Sequence, residues 1–270
     1  MSTKERADIA LVKRGFAESR EKAQAQIMAG LVFVGLKKIL KSSDTVDEGD
    51  DLSVRGNAQP FVSRGGLKLE KALDVFHTDV KGKVAMDIGA ATGGFTDVLL
   101  RRGAEHIYAI DVGYGQLDWS LRNHAQVTVM ERTNARYLTA EHFAKRPSLT
   151  VMDVSFISIR LILPVAAQIM GENGCFYTLI KPQFEAGRER VGKKGVVRDP
   201  VVHQAVIEEI MDFCPSFGHQ IIGLTFSPIT GPEGNIEFLA HIVPTSSETS
   251  AINKTIINSV VEEAHFMLKK

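Results

Sequence analysis

The sequence predicts an α/β protein: a doubly wound, Rossmann-like, mainly parallel sheet with an antiparallel edge hairpin, preceded by a small α+β module. Three observations predict it. Apolar runs at 84–88, 107–110, 127–130, 149–152 and 176–180 alternate with helix-spaced segments, the pattern of a sheet covered on both faces. Two later runs, 221–226 and 236–243, lack a full helix between them and read as an antiparallel pair at one edge. Ahead of all these, residues 1–41 hold nine Lys/Arg against four Asp/Glu, and residues 44–51 then carry five acids. A charge split of this kind suits a basic module that touches a polyanion.

Taken in order, "RADIALVKRG" places Ile9, Leu11 and Val12 on one side of a short helix that stops at Gly15. Ser19 is positioned to cap a second helix that closes at Gly30. The runs "LVFV" and "DLSV" follow as short strands, and "RGNAQPF" reads as a linker. The domain expectation is therefore 1–59 for the basic module, 60–244 for the α/β body and 245–270 for a polar linker with a terminal helix. In that tail Ile252, Ile256, Ile257, Val260, Val261, Ala264 and Leu268 recur at helical spacing, so the helix is expected to dock on the body.

The 270-residue chain has only Cys175 and Cys214, far apart and without companion ligands. Neither a disulfide framework nor a metal site is expected, and reduced thiols fit a cytoplasmic protein. No window approaches 18 continuous apolar residues, which argues against a membrane span.

The first chemical signal is "VAMDIGAATGGFTDVLL". An apolar strand ends at Asp87, a turn follows with Gly89, Ala90, Gly93 and Gly94, and a helix starts near Phe95. Such glycines let backbone approach a ligand closely, and the helix N-terminus offers free N–H groups. Asp111 ends the next strand, where an acid can hold ribose hydroxyls. Ala91 occupies the middle position of the dinucleotide fingerprint, where close approach to a pyrophosphate needs glycine. A nucleoside with a positive centre and no pyrophosphate fits better than NAD, and S-adenosylmethionine is such a ligand. Asn134, past the third strand, could read its adenine edge.

The second signal is a set of charged groups at strand ends. Asp153 ends "LTVMD", Lys181 ends "CFYTLIK", Glu237 precedes the last apolar run, and Lys68 lies in a helix opened by "SRGGLK". In a doubly wound sheet, ligands sit outside the carboxyl ends of the strands near the switch point. The start of an antiparallel strand lies at that same edge. Taken singly, each residue reads more readily as half of a structural salt bridge. Pro182 follows Lys181 at once and restricts it to extended backbone.

In order and context, Lys68, Asp153, Lys181 and Glu237 resemble the K-D-K-E tetrad of FtsJ-like RNA 2′-O-methyltransferases. The phrases "SRGGLKL", "DIGAATGGFTD", "DVSFIS", "LIKPQFE" and "GPEGNIEFL" are similar to the TlyA branch of that family, often called hemolysins. Residues 6–55 resemble the RNA-binding domain of ribosomal protein S4, with Gly35-Leu36 standing where the family turn has Asn/Asp-Gly. The resemblance implies transfer of methyl from S-adenosylmethionine to a ribose 2′-hydroxyl, with cytidines of ribosomal RNA in assembled subunits as substrate. Asp87, Gly89, Ala90, Gly93, Gly94, Phe95, Asp111, Asn134 and Asp153 would hold the cofactor.

By that analogy Lys181 orients the hydroxyl and Glu237 steers Lys181. A lysine at the reference pKa of about 10.4 is mostly protonated at neutral pH. The sequence therefore leaves open whether Lys181 is a free base or a charged positioner that passes the proton to Asp153. RNA contacts are expected from Arg6, Arg20, Lys22, Lys37, Lys38, Arg64, Arg188, Lys193 and Lys194. The alternatives are a non-catalytic RNA-binding or ribosome-assembly factor and a membrane-damaging hemolysin. The second lacks a basic lytic helix, because the terminal helix mixes Glu262, Glu263 and Lys254 on its polar face.

Overall fold

The computed structural model describes residues 4–35, 37–54, 60–247 and 251–268. The chain divides into two compact units, residues 1–60 and 61–270. Residues 55–59 of the expected linker, and Leu36 of the expected turn, lie outside the described residues.

The first unit runs β1 (Lys4–Arg6), α1 (Ala7–Lys13), α2 (Arg20–Met28), β2 (Val32–Val34), β3 (Lys37–Lys38), β4 (Thr45–Asp47) and β5 (Leu52–Val54). Strand β1 pairs with β4, and β3-β2-β5 form a second small sheet. Ser19 caps α2 by accepting from the Lys22 N–H.

The first helix corrects the sequence reading. Residues 4–6 are strand, which delays the helix to Ala7 and turns it, so that Ala7, Asp8, Ala10 and Leu11 face inward. Ile9 is exposed and Val12 half-buried. Asp8 is buried because three donors satisfy it. Arg6 holds both its oxygens at 3.0 Å, and Arg20 and Gln24 each reach Oδ2 at 3.0 Å. A buried carboxylate is tolerated only with such partners.

The second unit opens with α3 (Gly66–Val75), β6 (Val84–Ile88), α4 (Gly94–Arg101), β7 (His106–Ile110), α5 (Trp119–Arg122) and β8 (Val127–Met130). It continues with β9 (Leu149–Met152), α6 (Leu163–Met170), β10 (Cys175–Ile180), α7 (Pro182–Glu185) and α8 (Pro200–Phe213). It closes with β11 (His219–Phe226), β12 (Phe238–Pro244) and α9 (Lys254–Leu268).

The sheet order is β11-β12-β10-β9-β6-β7-β8, with β6 to β10 parallel and β12 antiparallel to both neighbours. Chain order runs outward from β6 to β8 and then jumps back to β9, so the switch point lies between β6 and β9. Strand alternation sorts the core into two layers. Met86, Ile88, Tyr108, Ile110, Met152 and Phe176 pack on one face with Leu163, Val206, Ile257 and Val261 from α6, α8 and α9. Ala85, Ile107, Leu149, Val151 and Leu179 pack on the other with Leu69, Leu73, Val98 and Leu99 from α3 and α4.

Candidate active site

The ladder register decides which side chains meet. Ile88 pairs with Met152, and Ile180 pairs with Phe238. Asp153, Lys181 and Glu237 each stand one residue beyond these rungs, at one edge of the sheet. Lys68 arrives from α3, which packs over that face, and is 8% exposed. Its Nζ lies 2.7 Å from Glu237 Oε2 and 3.1 Å from Asp153 Oδ2. Lys181 Nζ lies 2.5 Å from Asp153 Oδ1 and donates to Ser155 Oγ at 3.0 Å. Asp153 therefore joins the two lysines, one on each oxygen.

Glu237 corrects the sequence expectation. Its oxygens take Lys68 and the Gln183 amide (3.3 Å), so it is paired with Lys68 and not with Lys181. The antiparallel entry of β12 brings Glu237 in on the α3 side, where Lys68 already stands.

The electrostatics follow from burial opposed by pairing. Burial presses Lys68 toward its neutral form, but Asp153 and Glu237 outweigh it and hold its pKa above the ordinary lysine value. Burial likewise pushes Asp153 up, and Lys68 and Lys181 more than reverse that, leaving it below the usual carboxylate range.

Beside this quartet lies the glycine loop. Gly89 has φ +85°, and a Cβ there would stand 2.6 Å from the Asp153 carbonyl oxygen. The ends of β6 and β9 can approach this closely only because residue 89 has no side chain. Gly93 (φ +94°) precedes α4, and a Cβ on Gly94 would meet the Gly66 nitrogen at 2.8 Å. Ala90 within the loop and Phe95 in the first turn of α4 are buried. Asp111 Oδ2 accepts the Ala91 N–H (2.8 Å) and Oδ1 the Gly113 N–H (2.7 Å), tying the loops after β6 and β7 together. Asn134 Oδ1 caps a turn of 3₁₀ helix over Ala135–Tyr137 by accepting from the Arg136 N–H.

Asp87 acts from behind the loop. It is fully buried and accepts the Thr96 hydroxyl at 2.6 Å. Burial pushes its pKa up to about 7, opposed by Thr96 and reinforced by Asp153 and Asp111. An acid whose pKa is raised on folding contributes stability that is complete below its unfolded value, near 3.9, and is lost as pH rises through about 7. Asp87→Asn keeps an acceptor for Thr96 and removes the titration. Thermal unfolding between pH 5 and 8 should then show a smaller fall for the variant than for wild type. Identical slopes would refute this assignment.

Four neighbours escaped the sequence reading. Ser155 accepts from Lys181, and Gln183 donates to Glu237. Phe156 is 92% exposed with φ +64°, its ring 5.2 Å from that of Phe184. Glu185 accepts from Ser158 and Ile159 across the cleft edge. The motif "KPQFE" contained Gln183, Phe184 and Glu185, but no periodicity reports where a loop side chain points.

The expected RNA-contact cations are all exposed. Arg6 and Arg20 are shared with Asp8, and Lys22 pairs with Glu18, so part of the basic excess is neutralised. Lys37 and Lys38 form strand β3. Arg64 donates to the Thr230 carbonyl at 2.7 Å. Arg188 lies on the 3₁₀ turn Arg188–Arg190, and Lys193 and Lys194 lie on the turn Lys193–Gly195, where they line a shallow cavity with Arg190 and Arg198.

A doubly wound sheet with a glycine loop and a lysine–carboxylate quartet at its switch point defines a methyltransferase. The chain belongs to the FtsJ-like methyltransferase family, which matches residues 61–243, and carries an S4 domain over residues 5–52. It is 51% identical over its whole length, and over 97% of the relative, to YqxC of Bacillus subtilis, provisionally named an rRNA methyltransferase. It is 43% identical to the 16S/23S rRNA (cytidine-2′-O)-methyltransferase TlyA of Mycobacterium tuberculosis, over 88% of this chain and 89% of that one. A solved structure from Streptococcus thermophilus, provisionally called a hemolysin, superposes with a TM-score of 0.79 at 46% identity, covering 98% and 97% of the two chains.

Proposed function

We propose that the chain transfers a methyl group from S-adenosylmethionine to a ribose 2′-hydroxyl of ribosomal RNA, at a cytidine within an assembled subunit. The observation that carries this reading is the Lys68–Asp153–Lys181–Glu237 quartet beside the glycine loop. The RNA class and the base follow the chain's TlyA relatives, which are rRNA (cytidine-2′-O)-methyltransferases.

The loop suits the cofactor. Residues 87–97 contain no Lys or Arg, and the Asp111 carboxylate stands against the loop on the Ala91 N–H. That field favours a cationic sulfonium and opposes a diphosphate. The Gly89, Gly93 and Gly94 backbone would approach the ligand, with Ala90 and Phe95 beneath it, Asp111 beside its ribose and Asn134 at its base. When bound, S-adenosylmethionine supplies a methyl already made electrophilic by sulfur.

The chain's residues then have two tasks: aligning the hydroxyl and accepting its proton. Alignment in near-attack geometry can contribute about 7–11 kcal/mol, more than acid–base help usually supplies. The Lys181 ammonium is ion-paired with Asp153 and directs a remaining N–H at the ribose oxygen. As the ribose oxygen takes the methyl, its hydroxyl proton would leave toward Asp153. Lys68, held by Glu237, keeps Asp153 in place. Lys181 is on this reading the charged positioner, not the free base. The exposed ring of Phe156, packed against Phe184 whose own ring lies 5.8 Å from Lys181 Nζ, would offer a stacking face for an unstacked base.

The S4 domain would dock on phosphates and RNA shape through Arg6, Arg20, Lys22, Lys37 and Lys38. On the catalytic unit, Arg64, Arg188, Lys193 and Lys194 would contact RNA phosphates. Among the described residues no helix is long and apolar enough to cross a membrane, and nothing in the site calls for lysis.

The test uses tritiated S-adenosylmethionine with intact subunits and naked ribosomal RNA. Label should enter RNA, prefer subunits, and appear in an alkali-stable dinucleotide, because a methylated 2′-oxygen cannot cleave its own phosphodiester. Label on a base, or on no ribosomal substrate, would overturn the proposal.

A further inference from the structure

Glu185, at the end of the single turn α7, reaches across from the segment after β10 to the loop after β9. It is 8% exposed. Its Oε2 accepts the Ser158 hydroxyl at 2.6 Å, and its Oε1 accepts the Ile159 N–H at 2.8 Å. At the other end of the same loop, Asp153 is clamped by Lys68 and Lys181. Residues 154–157 are therefore tied down at both ends, and that short span contains Ser155 and Phe156. Ser155 Oγ accepts from Lys181, and Phe156 projects outward with left-handed backbone. A bulky residue in that conformation is strained and persists only where its surroundings impose it.

We propose that Glu185 is the positioning residue that imposes it. By pinning Ser158 and Ile159 it forces residues 154–157 into their bulge. The bulge in turn sets Ser155 against Lys181 and presents the Phe156 ring to the target nucleotide. Phe184, on the same turn, packs its ring beside Phe156. Pro182 belongs to this device: it opens α7 at its first position and so delivers Gln183 to Glu237, Phe184 to Phe156 and Glu185 to the facing loop within one helical turn. Glu185 touches neither substrate nor cofactor on this account, and the inference rests on the 2′-hydroxyl transfer proposed above.

A double-mutant cycle on methyl transfer to ribosomal subunits tests it, with wild type, Glu185→Ala, Phe156→Ala, the double variant and Glu185→Gln. Displacement of a positioned group by about 1 Å can cost about 10²-fold, so Glu185→Ala should lower kcat/KM for RNA by about 10–100-fold. S-adenosylmethionine affinity should stay within about twofold. Glu185→Gln keeps an acceptor for Ile159 and can donate to Ser158, so it should recover most of the activity. The double variant should be no worse than the poorer single variant by more than about twofold, because both substitutions remove the same presentation.

Losses that multiply, a glutamine variant as impaired as alanine, or cofactor affinity falling in step with activity would each overturn the inference. Should Glu185→Ala fail to fold, Ser158→Ala removes the loop-side donor and enters the cycle in its place: losses that do not multiply support the inference, and losses that multiply overturn it. The outcome also separates the two proposals. A wild-type protein that labels no RNA refutes the proposed reaction, whereas an active wild type with multiplicative losses refutes only the role of Glu185.

Discussion

Lys181→Met should lower methyl transfer by about 10²–10⁴-fold, the range for loss of a group acting directly on the transferred proton or its acceptor. Binding of S-adenosylmethionine should hardly change. The substitution is clean because Asp153 keeps a partner when Lys181 is lost: Lys68 Nζ still stands 3.1 Å from Oδ2. Stability should therefore fall only modestly. Lys181→Arg adds a sharper test. The guanidinium keeps the charge, but its planar fork cannot reproduce a compact ammonium shared between Asp153 and Ser155. It should be nearly as inactive as methionine. An active arginine variant would mean that charge alone suffices, and that alignment by Lys181 is not what the site supplies. Cofactor binding by isothermal titration, beside single-turnover rates, separates these outcomes.

The frame of this site was legible in the sequence because it is built at strand ends. Strand ends are marked by where apolar runs stop, and "LTVMD" and "CFYTLIK" stop on charged residues. A doubly wound sheet then fixes where such ends gather. Lys68 was accessible through the "SRGGLK" helix start for a similar reason. The partners of these residues were not legible. Glu237 was expected at Lys181 and is found at Lys68, because which lysine an antiparallel strand entry meets depends on how α3 lies over the sheet. Ser155, Phe156, Gln183 and Glu185 sit on loops and a single helical turn, where side chains are aimed by tertiary contacts.

The misreading of α1 has a different cause. Helical periodicity in seven residues is easily misread by one position, and strand β1 took the residues that would have fixed its phase. Asp8, an acid with no exposed surface on the inward side of α1, is the visible consequence. A hydrophobicity pattern counts an Asp as outward-facing, and only the arrival of Arg6, Arg20 and Gln24 reverses that.

Asp153→Ala should be the most damaging change in the quartet, and for two separable reasons. Turnover should be lost because the proton acceptor is gone and Lys181 has lost its ion-pair partner. Stability should also fall, by about 3–5 kcal/mol, because two nearly buried ammonium groups lose a shared counter-charge. The pH window of that loss follows from the shifts. Asp153 is depressed on folding, so its contribution is present above the unfolded value near 3.9 and is lost as pH falls through its lower folded value. Lys68 is raised, so its contribution is complete below about 10.4 and is lost as pH climbs through its higher folded value. The stability difference between wild type and Asp153→Ala should therefore be steady from about pH 5 to 9 and shrink toward both extremes.

Adding Lys181→Met to Asp153→Ala removes one stranded cation. Chemical unfolding should then show part of the lost stability restored, while methyl transfer stays absent. The two readouts move apart only if the quartet performs both tasks. If the second substitution restores nothing, the cleft is wet enough to solvate a lone ammonium, and the quartet is held together by something other than its charges.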